Sequence, residues 1–445
     1  MRTGHRRLWP RILIGVIALL LVAGVIGYWR ISPLLLTGTG YAAHNACAVG
    51  VLAHRTHPER DLPPNPLVPY LRTVTDEAGA DANVLGVLAT QRAWYAAGYG
   101  CTLADRPPSF PAALPLTTAG NPLADAATPV SSERLNAMLA RAFGDDLDDP
   151  GKAALGTRAV VVVRDGRIVA ERYASGFSAK TPQLGWSMAK SATNLLVGRL
   201  VQQGRIRLTD DHLRPEWNDE RAKITVDQLL RMSSGLSWDE TYDLGTPITE
   251  MLYLHGDMGK YVAGRPLAHP PGSYQQYSSG STNLLCSVLT ARTNLGPNLP
   301  REHLLGPLGM SSAVWEPDAV GTPVCSSYLW ATPRDWAALG QFALADGVWN
   351  GKRLLPQGWM KASTTVVPTA GEEDGYAAGW WVNRRPDGTL VDPQLPADAF
   401  WANGHDGQRV FVVPSAKLVV VRLGFSPAAP DLRAAALVHD LVVGR

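Results

Sequence analysis

The chain has 445 residues, 46% of them hydrophobic, with 43 glycines and 34 prolines, a balance that suits a folded protein of more than one lobe and excludes a largely disordered one. Its 41 basic and 39 acidic side chains leave a formal charge of +2, so it carries no electrostatic footprint for nucleic acid or acidic polymers. At the N-terminus, Arg2, Arg6, Arg7 and Arg11 precede an uncharged apolar stretch from Ile12 to Trp29. That length suits a membrane-spanning helix, and the cationic flank would stay in the cytoplasm with the remaining chain outside it. A cleaved signal peptide is the rival reading, although its apolar core would be unusually long and no clear A-x-A site follows.

Beyond the span, residues 30–150 read as an extension and 151–445 as the main body. Within the extension, Tyr41 to Thr102 has the composition of ordered structure, whereas Asp105 to Val130 is rich in Pro and Ala and reads as an extended arm. Four cysteines fit an oxidising compartment. A bridge between Cys47 and Cys101 is expected, with Cys286 and Cys325 lying within the main body. His54 and His57 have no thiol or carboxylate cluster beside them and read as surface residues.

The main body opens with a hairpin signal: the valine-rich run Ala159 to Val163, a turn at Asp165-Gly166, then Ile168 to Tyr173. A matching pair closes the chain, Arg409 to Val413 and Leu418 to Leu423 around Pro414-Ser415-Ala416, followed by a helix over Asp431 to Val443. Helices are expected between, at Ser187 to Gln203, Val226 to Met232, Ser281 to Thr293 and Pro333 to Ala345. The fold class is therefore α+β, an antiparallel sheet built from both ends of the body and flanked by helices, with an inserted helical lobe.

Three segments carry chemistry. In Ser187-Met188-Ala189-Lys190 a hydroxyl and an amine three residues apart share one helical face, so a desolvated lysine could take the serine proton. The helix start adds free N–H groups and the positive end of the dipole. In Pro271 to Ser279, Tyr277 could relay a proton with Lys190. In Asn403-Gly404-His405-Asp406-Gly407-Gln408, glycines permit close backbone approach, and an N–H here, that of Gln408, could join the Ser187 N–H in an oxyanion hole. The scheme calls for no metal and no cofactor.

The order S-x-x-K, then Tyr, then a Gly-bearing strand resembles class C of the serine β-lactamase superfamily. Gly185 to Ser191, Leu229 to Leu236, Gly407 to Pro414 and the early Gly100 to Leu103 are similar to segments of the 6-aminohexanoate-oligomer hydrolases and related esterases. The resemblance implies an acyl-enzyme on Ser187, proton handling by Lys190 and Tyr277, and a substrate groove beside Ser279, His405, Gly407 and Gln408. With the N-terminal span, the chain is expected to be a single-pass bacterial membrane protein with its catalytic region outside the cytoplasm, or a secreted one if the leader is removed. Two departures matter: Ser279 stands where class C enzymes carry the Asn of Y-x-N, and His405-Asp406-Gly407 stands where they carry K-T-G. Small amides or esters are therefore expected as substrates, ahead of β-lactams or D-alanyl peptides. Two other readings stay open: an α/β-hydrolase, because Gly185-x-Ser187-x-Ala189 nearly matches G-x-S-x-G, and a catalytically silent binder of cell-wall peptides or β-lactams. Loops Trp238 to Tyr253 and Ala370 to Trp381 are expected to shape the groove, with Trp238, Tyr242, Trp380 and Trp381 as candidate lining.

Overall fold

The apolar stretch at the start of the chain lies within a single helix, α1 (Leu8–Cys47), in a computed structural model that describes residues 8–371, 375–429 and 431–444. Arg2, Arg6 and Arg7, read as the cytoplasmic flank, lie outside the described residues. The helix is long and apolar enough to cross a membrane, and its most apolar window is wholly exposed. Pro33 sits inside it. A proline has no N–H to offer the carbonyl four residues back, and Ser32 Oγ donates to that carbonyl, Trp29 O, at 3.1 Å. The helix therefore continues without a linker from the exposed stretch into the body.

Beyond Pro33, α1 turns apolar residues inward: Leu35, Ala42, Ala43, Ala46 and Cys47 are buried. They pack against an antiparallel sheet of four strands in chain order, β1 (Leu71–Asp76), β2 (Gly79–Val84), β3 (Leu88–Ala96) and β4 (Gly100–Leu103). The Cys47–Cys101 disulfide fastens α1 to β4. The proline-rich arm that follows carries no helix or strand. It is tied to the body instead, through Leu114 N–H to Asn298 Oδ1 (2.9 Å) and Asn121 Nδ2 to Asp335 Oδ1 (2.8 Å).

Two capped helices, α2 (Glu133–Ala142, Ser132 accepting from Leu135 N–H) and α3 (Asp149–Leu155, Asp148 accepting from Gly151 N–H), lead into the hairpin β5 (Thr157–Arg164) and β6 (Arg167–Tyr173). Asp165 and Gly166 both have positive φ at its turn. Beside β5 run the late strands, giving an antiparallel order of Trp381–Val382, Phe400–Gly404, Gln408–Val413, Leu418–Gly424, β5, β6. Because side chains alternate along a strand, Val161 and Val163 join one core and Val160 and Val162 the other. The second core is closed by α2 and the terminal helix Ala434–Val443. Burial on both faces is what makes the run continuously apolar rather than alternating.

Between the hairpins lies the helical region: α4 (Met188–Gln202), then helices Val226–Leu230, Pro247–Leu254, Met258–Ala263 and Ser279–Thr293. The second of these stops short of the expected Met232, which takes a left-handed backbone (φ +60°). Helix Pro333–Leu344 packs on the sheet, and Cys286–Cys325 joins helix Ser279–Thr293 to the segment before it.

Candidate active site

Ser187 is placed by the residue before it. Trp186 takes a left-handed backbone, φ +48°, which a bulky side chain adopts only when its surroundings hold it there. Here they do: its ring meets Tyr41 and Tyr242 edge-on at 5.9 and 6.0 Å and lies near Tyr328 and His405. The turn delivers Ser187 to the N-cap position of α4, with no hydrogen bond from its side chain to the cap. One helical turn on, Lys190 Nζ donates to Ser187 Oγ (2.9 Å), Ser279 Oγ (2.8 Å) and the Ser326 carbonyl (3.3 Å). Lys190 is 2% exposed. Burial lowers its pKa to about 8, against the opposing pull of Glu240.

Glu240 is the member that the sequence reading missed. It accepts from Ser279 N–H (2.8 Å), Ser279 Oγ and Trp238 Nε1 (2.6 Å), and it lies 3.9 Å from Lys190 Nζ. A continuous chain of hydrogen bonds thus runs from Ser187 through Lys190 and Ser279 to a carboxylate. The Ser278 side chain caps the helix that Ser279 begins, which fixes the position of that hydroxyl. Tyr277, two residues earlier, presents its ring to Lys190, with Nζ 4.6 Å from the ring centre.

The late turn forms the other wall. A Cβ on Gly404 would lie 2.1 Å from Gly185 O, so only glycine lets this backbone approach the segment that carries Ser187. The backbone N–H groups of Ser187 and His405 donate to no protein acceptor among the described residues. His405 stacks on Tyr242 (4.5 Å between ring centres) and faces Asp406 at 3.4 Å. Burial raises the Asp406 pKa.

A cleft of about 510 Å³ opens over these groups, lined by Ser187, Glu240, Tyr242, Tyr277, Trp381 and the Asn403–Gly407 turn with Arg409. Of the expected residues, Ser187, Lys190, Tyr277, Ser279, His405 and Gly407 come together here. Gln408 does not. Its side chain turns to the opposite face, exchanging hydrogen bonds with the Gly424 backbone (2.6 and 3.0 Å), and Arg409 faces the cleft in its place. Of the four candidate groove aromatics, Tyr242 and Trp381 line the cleft. Trp238 is buried against Glu240, and Trp380 is fully buried with its Nε1 on Asn194. Residues 372–374 of the second groove loop lie outside the described residues.

A family model described as Beta-lactamase matches residues 139–442, which include every group in this cleft. The chain belongs to that family. It is 26% identical over 352 residues to the 6-aminohexanoate-dimer hydrolase of Paenarthrobacter ureafaciens, covering 72% of this chain and 84% of that one. It is 27% identical over 228 residues to Protein flp of Staphylococcus aureus, covering 44% of this chain and only 45% of flp. Among solved structures, a Bacillus anthracis protein assigned as a 6-aminohexanoate-dimer hydrolase superposes with a TM-score of 0.56 at 25% identity, covering 75% of this chain and 90% of that one. A penicillin-binding-protein homologue from Caulobacter crescentus shares the fold (TM-score 0.54, 19% identity, covering 70% and 97%). Together these support a hydrolase-type activity built on the expected fold.

Proposed function

We propose that the protein is a membrane-anchored serine hydrolase that cleaves small amides or esters through an acyl-enzyme on Ser187. The observation that carries this reading is the contact between Ser187 Oγ and a buried lysine whose proton is loosely held. In its neutral form Lys190 accepts the serine proton as Oγ attacks the substrate carbonyl carbon, and Tyr277 returns a proton to the departing amine or alcohol. Water then attacks the acyl carbon by the reverse proton path and releases the acid. The Ser187 N–H at the head of α4 and an N–H of the late turn, that of Gln408 as expected from sequence or that of His405, are the donors for the oxyanion. Small amides and esters rank ahead of β-lactams because His405, half-exposed and stacked on Tyr242, occupies the place of the K-T-G lysine, and Ser279 that of the Y-x-N asparagine. The similarity to a 6-aminohexanoate-dimer hydrolase supports the same ranking. The exposed apolar stretch of α1 is long enough to cross a membrane, which supports the anchor.

The test is a hydrolysis panel on the full-length protein in detergent: p-nitrophenyl esters, short linear amides, D-alanyl peptides and a chromogenic cephalosporin. Ester or amide turnover is expected to exceed cephalosporin turnover, and Ser187→Ala to lose roughly 10³-fold or more. Rapid cephalosporin cleavage with negligible ester cleavage would overturn the substrate ranking. Activity that survives Lys190→Ala but not His405→Ala would overturn the mechanism in favour of a Ser–His scheme.

A further inference from the structure

The geometry points to a second membrane contact besides α1: the tip of the β2–β3 hairpin, Val84 to Leu88, sits in the lipid surface beside the outer end of the span. This rests on the reading of α1 as a membrane anchor. Three independent features converge on it.

The first is position. Tyr28 lies in the last turn of the apolar stretch Ile12 to Trp29, and its hydroxyl accepts from Ala89 N–H at 3.1 Å, one residue beyond the tip. From there β3 runs beside α1 into the body, with Gln91 Nε2 donating to Leu36 O at 2.6 Å. If α1 spans the bilayer, the tip lies level with its outer boundary.

The second is composition against turn chemistry. Leu85 and Gly86 both have positive φ (+54° and +88°), and Val87 N–H bonds to Val84 O at 3.2 Å, a tight turn within a three-residue loop whose two left-handed positions select Asn, Asp or Gly. A leucine in the left-handed region is conformationally costly. Leu85 is nonetheless 61% exposed, and Val87 beside it 78% exposed. In water this turn violates both its backbone preference and its solvation; a lipid surface relieves the second cost.

The third is the charge around it. Tyr70, whose carbonyl accepts from Leu85 N–H, is half-exposed beside the tip, and Arg72 follows two residues later, the aromatic and basic surroundings of an interfacial segment. Neither 62–75 nor 82–103 contains an acidic residue. The acid nearest the tip along the chain, Asp81, stands three residues before it, about 10 Å away, and is paired with Arg92, while the acidic turn Asp76-Glu77 lies at the opposite end of β2.

The native cysteines are bridged, so an added cysteine is the only free thiol among the described residues. Val87→Cys, Leu85→Cys, Leu19→Cys in the span and Val130→Cys in the arm are labelled with an environment-sensitive fluorophore in the full chain, reconstituted into phosphatidylcholine–phosphatidylglycerol vesicles, with ester turnover as the check on folding. Position 19 should be quenched by deep nitroxide lipids. Positions 85 and 87 should be blue-shifted and lose roughly half their fluorescence to shallow nitroxide lipids, and position 130 should do neither. A lipid-buried position 19 with a water-like position 87 would overturn the hairpin contact and leave the anchor standing. A water-like position 19 would overturn the anchor and the hairpin contact together.

Discussion

Lys190 meets two opposed influences, and their balance sets how the site responds to pH. Burial disfavours its ammonium form and the Glu240 carboxylate 3.9 Å away favours it, with burial prevailing. A base must be neutral to act, so kcat/KM is expected to rise with pH through about 8. Glu240→Gln removes the charge that favours the ammonium form, so that limb should move to lower pH by about one unit. A pH–rate profile of the variant on a p-nitrophenyl ester checks this; an unmoved or upward-shifted limb would refute the role given to Glu240. Ser187 and Lys190 were legible because their spacing is local to one helix, and Tyr277 because it precedes a helix start. Glu240 was not, since its link to Ser279 joins residues 39 apart and no helical or strand period relates them. For Gln408 the expectation concerned its backbone N–H, and it is the side chain that turns from the cleft. Asp406 takes a left-handed backbone (φ +54°) in the turn before it, and alternation along the strand then sends residue 408 away from the cleft and 409 toward it.

At the scale of elements, α1 does more than lead into the body. Its Tyr41 stacks on Tyr253 at 5.1 Å and meets Trp186 edge-on, so a helix from the extension supports the strained turn before Ser187. The Tyr41 hydroxyl is buried without a hydrogen-bond partner. Tyr41→Phe should therefore hold or raise the melting temperature, since it removes an unsatisfied polar group and keeps the ring. Tyr41→Ala should cost about 3–5 kcal/mol and lower ester kcat/KM on the order of 10-fold by releasing Trp186. Thermal melts with parallel rates decide it: full activity in a destabilised Tyr41→Ala protein would show that α1 supports the fold and not the site. The two long hairpins were legible because their valine runs are bounded by strong turn signals. The contact of Tyr41 with Trp186 was not, because a span followed by an extension reads as separate from the body, and nothing local says that the helix runs through Pro33. Short paired segments such as Gln183–Leu184 and Trp381–Val382 are too brief to carry a period at all.

For the molecule as a whole, the disulfides decide how the site's two halves are held. Cys286 lies in the helix that begins with Ser279, and Cys325 precedes Ser326, whose carbonyl accepts from Lys190. The Cys286–Cys325 bridge therefore ties the element that carries Ser279 to the one that braces Lys190. The bridges close loops of 54 and 39 residues. Chain entropy alone makes each worth roughly 4 kcal/mol. In a chain of this size that corresponds to about 5 °C in melting temperature per bridge. The double variant Cys286→Ser/Cys325→Ser should show that drop and a loss of ester turnover already below its melting point, because Ser279 and Ser326 both contact the lysine. Cys47→Ser/Cys101→Ser should show a similar drop with a smaller effect on turnover, since neither cysteine adjoins a group that contacts Lys190. Equal losses of turnover from the two variants at matched stability would mean that the bridges act on the fold in general and that the Ser187–Lys190 pair is braced by packing alone.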